Sequence, residues 1–370
     1  MDARELFEVP EGIYLLNHSV GALPRAARGA VERHFEAWKS DGGDAWGAWL
    51  GQIEGFRGAL ATLFGGKAAE YCPQPGVTAG VVKLLHSVSP RPGRGRILLS
   101  RLDFPSVGFA IQQLRRRGWT VDFLEPDARG FFPLERWDAA LTPETDWVLI
   151  THSIYGNSWL NPVAEIAALA RARGVFTIVD IAQSAGVVPI RIEDWNPDAV
   201  TGSCVKWLCG GPGAGFLWTN PARVSEFAPE DVGWFSHENP FEFRIDDFRY
   251  APDGRRFWGG TPSVLAYAVA SESIKQLTAL GIDAIRRHNQ ALTSQLLSFA
   301  DSHGIPSPAP RDPAQRGGTA VLALPDPPGA VARLRAAGVR VDSRPGFGVR
   351  FSPHIFNTAA EIERVCGLLG

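Results

Sequence analysis

The sequence has 370 residues and a formal net charge of −2, and its hydrophobic and charged fractions of 45% and 21% are typical of globular proteins. No segment approaches the run of about 18 apolar residues that crosses a bilayer, and no basic stripe beyond the RRR at 115–117 offers a surface for nucleic acid. The first residues lack the basic and apolar regions of a secretion signal, so we expect a cytoplasmic protein with a small substrate, no nucleic-acid partner and no membrane contact.

The cysteines and lysines limit which kinds of active site the chain can form. The four cysteines form neither a CxxC pair nor a zinc-ligand spacing, so we expect reduced core thiols and no metal site. Only five of the 37 basic residues are lysines. A lysine-dependent mechanism therefore has few candidates: Lys39, Lys67, Lys83, Lys206 and Lys275.

Short β-rich runs alternate with amphipathic helices through most of the chain. The spacing of apolar residues predicts helices at 24–39, 48–65, 78–89, 106–117, 133–141 and 162–174, and strands at 96–100, 120–125, 147–153 and 175–182. Two helical segments between 261 and 304 run almost end to end. A last unit has strands at 319–325 and 339–344 and helices at 328–338 and 358–369.

This order of elements indicates an α/β fold. Strands that are apolar on both faces and alternate with helices favour a mostly parallel sheet covered on both sides. We predict an N-terminal arm (1–20), a large domain (21–280) and a small C-terminal α+β domain (281–370), with a long helix linking the two domains.

Residues 179–217 carry the most specific signals. Asp180 and Gln183 follow a buried apolar strand, at the edge where open α/β sheets bind their ligands. Because an unpaired buried carboxylate is costly, Asp180 needs a cationic partner or a turn to cap, and for a lone strand-end aspartate the turn is the commoner role.

Lys206 precedes the glycine-rich GGPGAG at 210–215. Glycines let the backbone pass close to a planar ligand, and a lysine held there loses water and becomes a nucleophilic amine. A lysine near glycines is more often a surface residue, but the nearby strand-end Asp180 favours a functional pair.

The patterns D-x-A-Q-S-x-G at 180–186 and K-W-L-x-G-x-x-G-x-G-F-L at 206–217 resemble the aminotransferase class V family of pyridoxal 5′-phosphate (PLP) enzymes, which includes kynureninases and cysteine desulfurases. The resemblance covers nearly the whole chain. It implies fold type I, with a seven-stranded sheet between helices. It also implies that Lys206 bears the cofactor, that Asp180 pairs with the pyridine nitrogen and that Gln183 hydrogen-bonds the phenolic oxygen.

The same resemblance implies further cofactor contacts. Val77 and Thr78, in PGVTAGVV, would bind the phosphate at a helix N-terminus, and Phe104, in DFPS, would stack on the ring. Ser203 would touch the phosphate, and Thr261, in a G-T-P turn, would reach the phosphate of the neighbouring subunit in a homodimer. From the residues alone, Thr78 could be a helix N-cap, Phe104 a core residue, and Thr261 the start of a helix with Pro262 in its first turn.

Substrate contacts are implied near both termini and in one loop. Arg350, in GVRFSPHIFNT, would clamp the α-carboxylate, with Arg344 as a nearby competitor. Asn17, His18 and Ser19, in YLLNHSVGALP, would line the pocket, although a loop leading into a helix explains them nearly as well. The segment GWFSHENPFEF, which includes His237, resembles a kynureninase segment and would bring aromatic side chains to the substrate.

Three activities remain open. The first is kynureninase-like cleavage at Cβ of an aromatic or S-substituted L-amino acid, through an external aldimine and removal of the Cα proton. The second is transamination with an α-keto acid, and the third is a non-catalytic PLP-binding role. Val205, Gln183 and Val107 depart from the kynureninase pattern. A cysteine desulfurase is disfavoured because no cysteine lies shortly before Arg350.

Overall fold

A computed structural model describes residues 3–370; residues 1 and 2 of the predicted arm lie outside it. Its strands are β1 Phe7–Glu8, β2 Ile13–Tyr14, β3 Leu23–Pro24, β4 Tyr71–Gln74, β5 Arg96–Ser100, β6 Thr120–Leu124, β7 Thr145–Thr151, β8 Phe176–Asp180, β9 Ala199–Ser203, β10 Gly215–Thr219, β11 Ala320–Leu322, β12 Val339–Arg340, β13 Asp342–Arg344 and β14 Gly348–Phe351. Its α-helices are α1 Ala26–Asp41, α2 Trp46–Phe64, α3 Val77–His86, α4 Pro105–Gln113, α5 Leu134–Ala140, α6 Val163–Ala172, α7 Ile192–Trp195, α8 Leu265–Leu280, α9 Ile282–Ser302, α10 Pro327–Ala336 and α11 Ala359–Gly367.

The main sheet has seven strands in the order β4-β10-β9-β8-β7-β5-β6. The pairs from β9 to β6 are all parallel, whereas β10 runs antiparallel to both of its neighbours, β9 and β4. Since β4 and β9 are both opposed to β10, they point the same way. The carboxyl ends of β4, β5, β8 and β9 therefore meet at one edge of the sheet, which is where ligands bind in such folds.

Alternate residues of the central strands pack into two separate hydrophobic cores, one on each face of the sheet. This explains why these strands are apolar on both faces. In β5, Leu98 belongs to a cluster with residues of α2, α6 and α8. Its neighbours Ile97 and Leu99 belong to a second cluster with residues of α3 and α4 on the opposite face. The sheet is thus covered by helices on both sides, as predicted.

A second, three-stranded sheet in the order β11-β14-β13 packs with α9, α10 and α11 around its own hydrophobic core. Ile13 and Leu15 of the N-terminal segment are part of this core, and β2 pairs in parallel with β12. The proposed domain boundaries at 20 and 280 remain predictions.

The structure confirms the predicted α/β class and most predicted elements, with three corrections. The strand predicted at 339–344 is two strands, because the chain changes partner at Val341: β12 pairs with β2 and β13 with β14. The helix considered after Thr261 begins only at Leu265, so Pro262 is not in its first turn. The two-residue strands β1, β2 and β3, and strands β4, β10 and β14, were not predicted as strands.

The four cysteines are buried and free, which confirms the prediction of core thiols. Within residues 3–370, no helix is both long and apolar enough to cross a bilayer.

Candidate active site

Lys206 lies in a tight turn beyond β9, and close backbone packing fixes this turn. The amide of Gly21 donates to the carbonyl of Val205 at 2.8 Å, and a side chain at position 21 would overlap the Lys206 carbonyl oxygen. The next residue, Trp207, is fully buried and its carbonyl accepts a hydrogen bond from His354 Nε2 at 3.0 Å. The turn is therefore anchored on both sides of the lysine.

The Lys206 amine faces the site rather than bulk water. Its side chain is half-buried, and Nζ lies 5.5 Å from the centroid of the Phe104 ring. Burial lowers the pKa of Lys206 to about 8, an effect that nearby Asp180 opposes and that Arg350 and Arg344 reinforce. The neutral, nucleophilic form of this amine is thus far more populated near neutral pH than in an exposed lysine, contrary to the reading of Lys206 as a surface lysine.

Phe104 presents one aromatic face to this region. It precedes α4 and is 42% exposed, so the alternative of a core residue is wrong. The ring packs edge-on against Tyr155 at 5.4 Å. Asp103 fixes the turn before it, accepting hydrogen bonds from the amide and hydroxyl of Ser100 at 2.8 and 2.9 Å. Burial raises the pKa of Asp103 to about 7.

Asp180 ends β8 and is buried. One of its carboxylate oxygens accepts from the amide of Ala182 at 2.8 Å, so this residue does cap a local turn. Burial raises the pKa of Asp180, whereas the Ala182 amide and the positive charge of Lys206 lower it. The buried Asp180 carboxylate is suited to bind a cationic group of a ligand that lies between it and the Lys206 amine.

Gln183 connects this centre to the N-terminal loop. Its Nε2 donates to the carbonyl of His18 at 3.1 Å, and its Oε1 accepts from Trp207 Nε1 at 3.4 Å. One N–H of the amide is left for another acceptor, since a glutamine amide has two.

The N-terminus of α3 and the end of β9 are brought together by Gly215. In β10 this glycine pairs with Ser203 on one side and with Gln74 on the other. A Cβ at this position would lie 2.8 Å from both the Gly202 carbonyl oxygen and the Gly76 Cα. Only a glycine permits this approach, so Ser203 and the start of α3 form one surface.

The first turn of α3 has free backbone donors. Its N-cap is Gly76, which provides no side-chain cap, so the alternative of Thr78 as the N-cap is wrong. Val77 and Thr78 are half-buried at the first two positions of the helix. Unsatisfied amides at a helix N-terminus are suited to a phosphate group.

Arg350 is buried and holds a carboxylate of the chain itself. Its Nε and Nη2 donate to the two oxygens of Asp342 at 2.9 and 2.7 Å, and its Nη1 donates to the carbonyl of Tyr155 at 3.0 Å. Asp342 also contacts Arg344 at 3.0 Å. Three of the five guanidinium N–H groups are thus used, and two remain for a ligand.

The N-terminal residues Asn17 and His18 are buried against the same cluster. His18 Nε2 lies 2.9 Å from Asp342 and its Nδ1 lies 2.6 Å from the hydroxyl of Ser352. Burial lowers the pKa of His18 to about 4, although Asp342 opposes this change. Asn17 Nδ2 donates to the Ser352 carbonyl, while its side-chain oxygen is buried without a hydrogen-bond partner among the described residues. Ser19 is half-buried in the same loop.

Two predicted site residues belong to other surroundings within the chain. The His237 ring contacts the carbonyls of Asn239 and Asp247, each at 3.0 Å, and the Phe248 ring. Thr261 is exposed, in an irregular segment before α8. Their predicted roles in binding remain predictions.

Sequence reasoning missed three residues of this region. Tyr155 links Phe104 to Arg350, Asp342 occupies part of the Arg350 guanidinium, and Asp103 shapes the turn that presents Phe104. Asp103 adjoins Phe104 in the sequence and could have been noticed. The others depend on packing between distant segments.

The residues at the sheet edge fit PLP. PLP has four parts that need partners, and each has one here. The pyridine nitrogen needs a buried carboxylate, the aldehyde a lysine of lowered pKa, the planar ring an aromatic face, and the phosphate the free amides of a helix N-terminus.

The seven-stranded sheet gives the chain the α/β fold of the fold-type I class. The aminotransferase class-V family model matches residues 49–320, and the chain belongs to this family of PLP-dependent enzymes. A model of the kynureninase C-terminal domain matches residues 285–369.

Relatives with different names cover nearly the whole chain. It is 26% identical over 350 residues to an uncharacterized aminotransferase, YcbU, of Bacillus subtilis, covering 94% of this chain and 91% of the relative. It is 26% identical over 388 residues to a kynureninase of Pseudomonas fluorescens, covering 99% and 91%. In fold it is similar to the cystine C–S lyase C-DES in complex with cysteine persulfide, with a TM-score of 0.88, 22% identity and 97% of each chain covered.

Proposed function

We propose that Lys206 holds PLP covalently and that the enzyme cleaves a bond at Cβ of an aromatic or S-substituted L-amino acid. The observation that carries the proposal is the convergence of Lys206, Phe104 and Asp180 at the carboxyl edge of the sheet, with Nζ 5.5 Å from the Phe104 ring. When bound, the cofactor supplies an electron-accepting ring that stabilises negative charge at the substrate α-carbon.

Asp180 and Gln183 would orient and polarise that ring. The buried Asp180 carboxylate would pair with a protonated pyridine nitrogen, and this pairing would offset the cost of its burial. The remaining N–H of the Gln183 amide would donate to the phenolic oxygen, while its other N–H stays on the His18 carbonyl. Phe104 would cover one face of the ring and exclude water from it.

Lys206 would also move protons. General acid–base catalysis is most efficient when the pKa of the group lies near the working pH, and the pKa of Lys206 is lowered to about 8. Its amine would accept the proton from the substrate α-carbon and return it.

The phosphate and the substrate carboxylate would bind at separate places. The Val77 and Thr78 amides, the Thr78 hydroxyl and Ser203 would hold the phosphate, because Gly215 brings these groups together. The two N–H groups of Arg350 that are not used by Asp342 or Tyr155 would bind the α-carboxylate. Asn17, with an unpaired buried oxygen, and His18 and Ser19 would line the substrate pocket.

The likeness to kynureninases and to a C–S lyase favours cleavage at Cβ. Transamination is the second candidate, because the aminotransferase YcbU matches a similar share of the chain. One observation counts against Cβ–Cγ cleavage of the kynureninase kind. The residue before the lysine is Val205, which carries no hydroxyl that could protonate a leaving carbanion.

A homodimer with shared sites is part of the proposal. Thr261 and the segment around His237 lie outside the cluster of Lys206 within one chain, and both would serve the site of a partner subunit. Such sharing would place aromatic side chains such as Trp234 on the substrate side.

The experiment is a screen of L-amino acids against the PLP-loaded enzyme, with products identified by mass spectrometry. We expect an aromatic or S-substituted amino acid to be cleaved without added keto acid. K206A should abolish the reaction, whereas the exposed K275A should retain it. Strict dependence on an added α-keto acid would show that the enzyme transaminates its substrate and does not cleave it. Turnover by K206A would contradict the assignment of the lysine.

A further inference from the structure

A group of charged residues lies on one face of the hairpin formed by β13 and β14. Asp342 and Arg350 are direct partners across the two antiparallel strands, and Arg344 lies two residues beyond Asp342 on the same face. Asp342 therefore lies between two arginines, at 2.7 Å from Arg350 Nη2 and 3.0 Å from Arg344 Nη1.

The hydrogen bonds around Asp342 fix its charge and position. His18 Nε2 lies 2.9 Å from Oδ1, and the other nitrogen of the ring lies 2.6 Å from the Ser352 hydroxyl, which in turn contacts the hydroxyl of Thr319 at 2.8 Å. Burial raises the pKa of Asp342, but the hydrogen bonds from His18 and Arg350 outweigh it and hold this pKa below its usual value. Asp342 is thus ionised at neutral pH, and burial keeps His18 uncharged.

The charges of this cluster leave one positive charge at the proposed carboxylate subsite. Arg344 and Arg350 contribute two positive charges, Asp342 removes one, and His18 contributes none. The cluster adjoins the lysine, because Arg350 donates to the Tyr155 carbonyl and the Tyr155 ring packs against Phe104.

We propose that Asp342 is a specificity-determining residue: by neutralising one of the two arginines it matches the subsite to amino acids with a single carboxylate and disfavours isosteric dicarboxylic ones. This inference rests on the proposed function, in which Arg350 binds the α-carboxylate. Without Asp342, a second positive charge would face the pocket and attract a second carboxylate.

The test compares L-glutamine with L-glutamate, which have nearly the same shape and differ by one negative charge. Each is titrated into the PLP-loaded protein, and the half-saturating concentration is taken from the change in cofactor absorbance. Effects on the common α-carboxylate cancel in the ratio of the two concentrations, so the ratio reports the charge of the subsite.

In D342N we expect this ratio to shift about tenfold toward L-glutamate, the size of one partly screened charge interaction at a few ångströms. D301N is the matched control, since Asp301 pairs with Arg311 on the surface and its replacement makes the same change in net charge. The control should leave the ratio unchanged.

R344Q is a second variant that tests the proposal if D342N does not fold. Asp342 is the partner of the buried Arg350, whereas Arg344 is half-exposed, so its replacement costs less stability. It should shift the ratio against L-glutamate by roughly threefold or more. The double variant D342N/R344Q, which restores the net charge of the subsite, should return the ratio close to that of the wild type.

Two failures are distinguishable. Binding of both amino acids with an unchanged ratio in D342N and R344Q would overturn the role of Asp342 and leave the proposed function standing. Absence of any absorbance change with either amino acid, in the wild type and in every variant, would overturn the role of Asp342. The proposed function fails only if the aromatic and S-substituted amino acids of the screen also leave the absorbance unchanged.

Discussion

The nucleophilicity of Lys206 follows from its surroundings. Burial lowers its pKa from 10.5 to about 8, and the two arginines nearby act in the same direction. The neutral amine is the form that attacks an aldehyde, so its availability rises with pH and levels off above the pKa. The same amine in an exposed position would remain almost fully protonated at pH 8.

We therefore expect the rate of PLP capture by the cofactor-free protein to rise from pH 6 to pH 9 with a midpoint near pH 8. Stopped-flow absorbance at several pH values measures this rate. The reference is Nα-acetyl-lysine in solution, whose free ε-amine reacts at a rate that continues to rise toward pH 10 or beyond. A midpoint near 10 in the protein would show that Lys206 is not desolvated.

At the scale of single residues, sequence motifs predicted groups that the fold does bring together. Contacts through Asp342 and Tyr155 connect four residues that are far apart in the chain: His18, Arg350, Phe104 and Lys206. Asp180 interacts with Lys206 through their charges. Each belongs to a distinctive local pattern. Asp342 and Tyr155 could not be predicted, because their importance arises from strand register and from a loop carbonyl that meets Arg350.

At the scale of elements, the phosphate surface depends on the close approach of β10 to the start of α3. A Cβ at Gly215 would lie 2.8 Å from the backbone of both Gly202 and Gly76, and neither backbone can move aside cheaply. The substitution would separate Ser203 from the first turn of α3.

G215A should accordingly lower the affinity for PLP at least tenfold and reduce the free energy of unfolding by about 1–3 kcal/mol. Equilibrium titration with PLP and urea unfolding measure the two effects. The control is G58A in α2, where a Cβ meets no atom within 4 Å, and which should be neutral or slightly stabilising. Unchanged PLP affinity in G215A would contradict the assignment of the phosphate site.

The strands that sequence patterns missed lack a distinct local signal, because neighbouring strands rather than their own residues define them. The parallel strands β5 to β8 are rich in apolar residues, lie between helices and are recognisable locally. In contrast, β4 has only four residues and contains Pro73, and β10 is part of a glycine-rich motif that can be read as a loop. The break at Val341 depends on which partner strand lies on each side.

At the scale of the whole molecule, the proposed homodimer has a candidate surface. Residues 232–248 expose large apolar side chains, of which Phe243 is 74% and Ile245 fully exposed. A contiguous apolar patch of this kind is typical of an interface. We expect a particle of twice the 40.1 kDa of one chain, measured by light scattering, and we expect I245D to weaken the dimer, with L368D on the exposed end of the chain as control.

Sharing of the sites has its own test. K206A and T261A chains carrying different tags are co-expressed, and the hybrid is purified and assayed at limiting PLP. If Thr261 serves the partner's site, each hybrid dimer has one intact site and about half the wild-type activity. If Thr261 serves its own chain, the hybrid has no intact site and is no more active than the T261A protein.

The proposed covalent bond joins PLP to one of the five lysines, Lys206. Borohydride reduction of the PLP-loaded protein makes this bond permanent, and peptide mass spectrometry then identifies the modified residue. We expect the label on Lys206 alone, at a stoichiometry near one per chain. A label on Lys39, Lys67, Lys83 or Lys275 with Lys206 unmodified would show that Lys206 does not bear the cofactor.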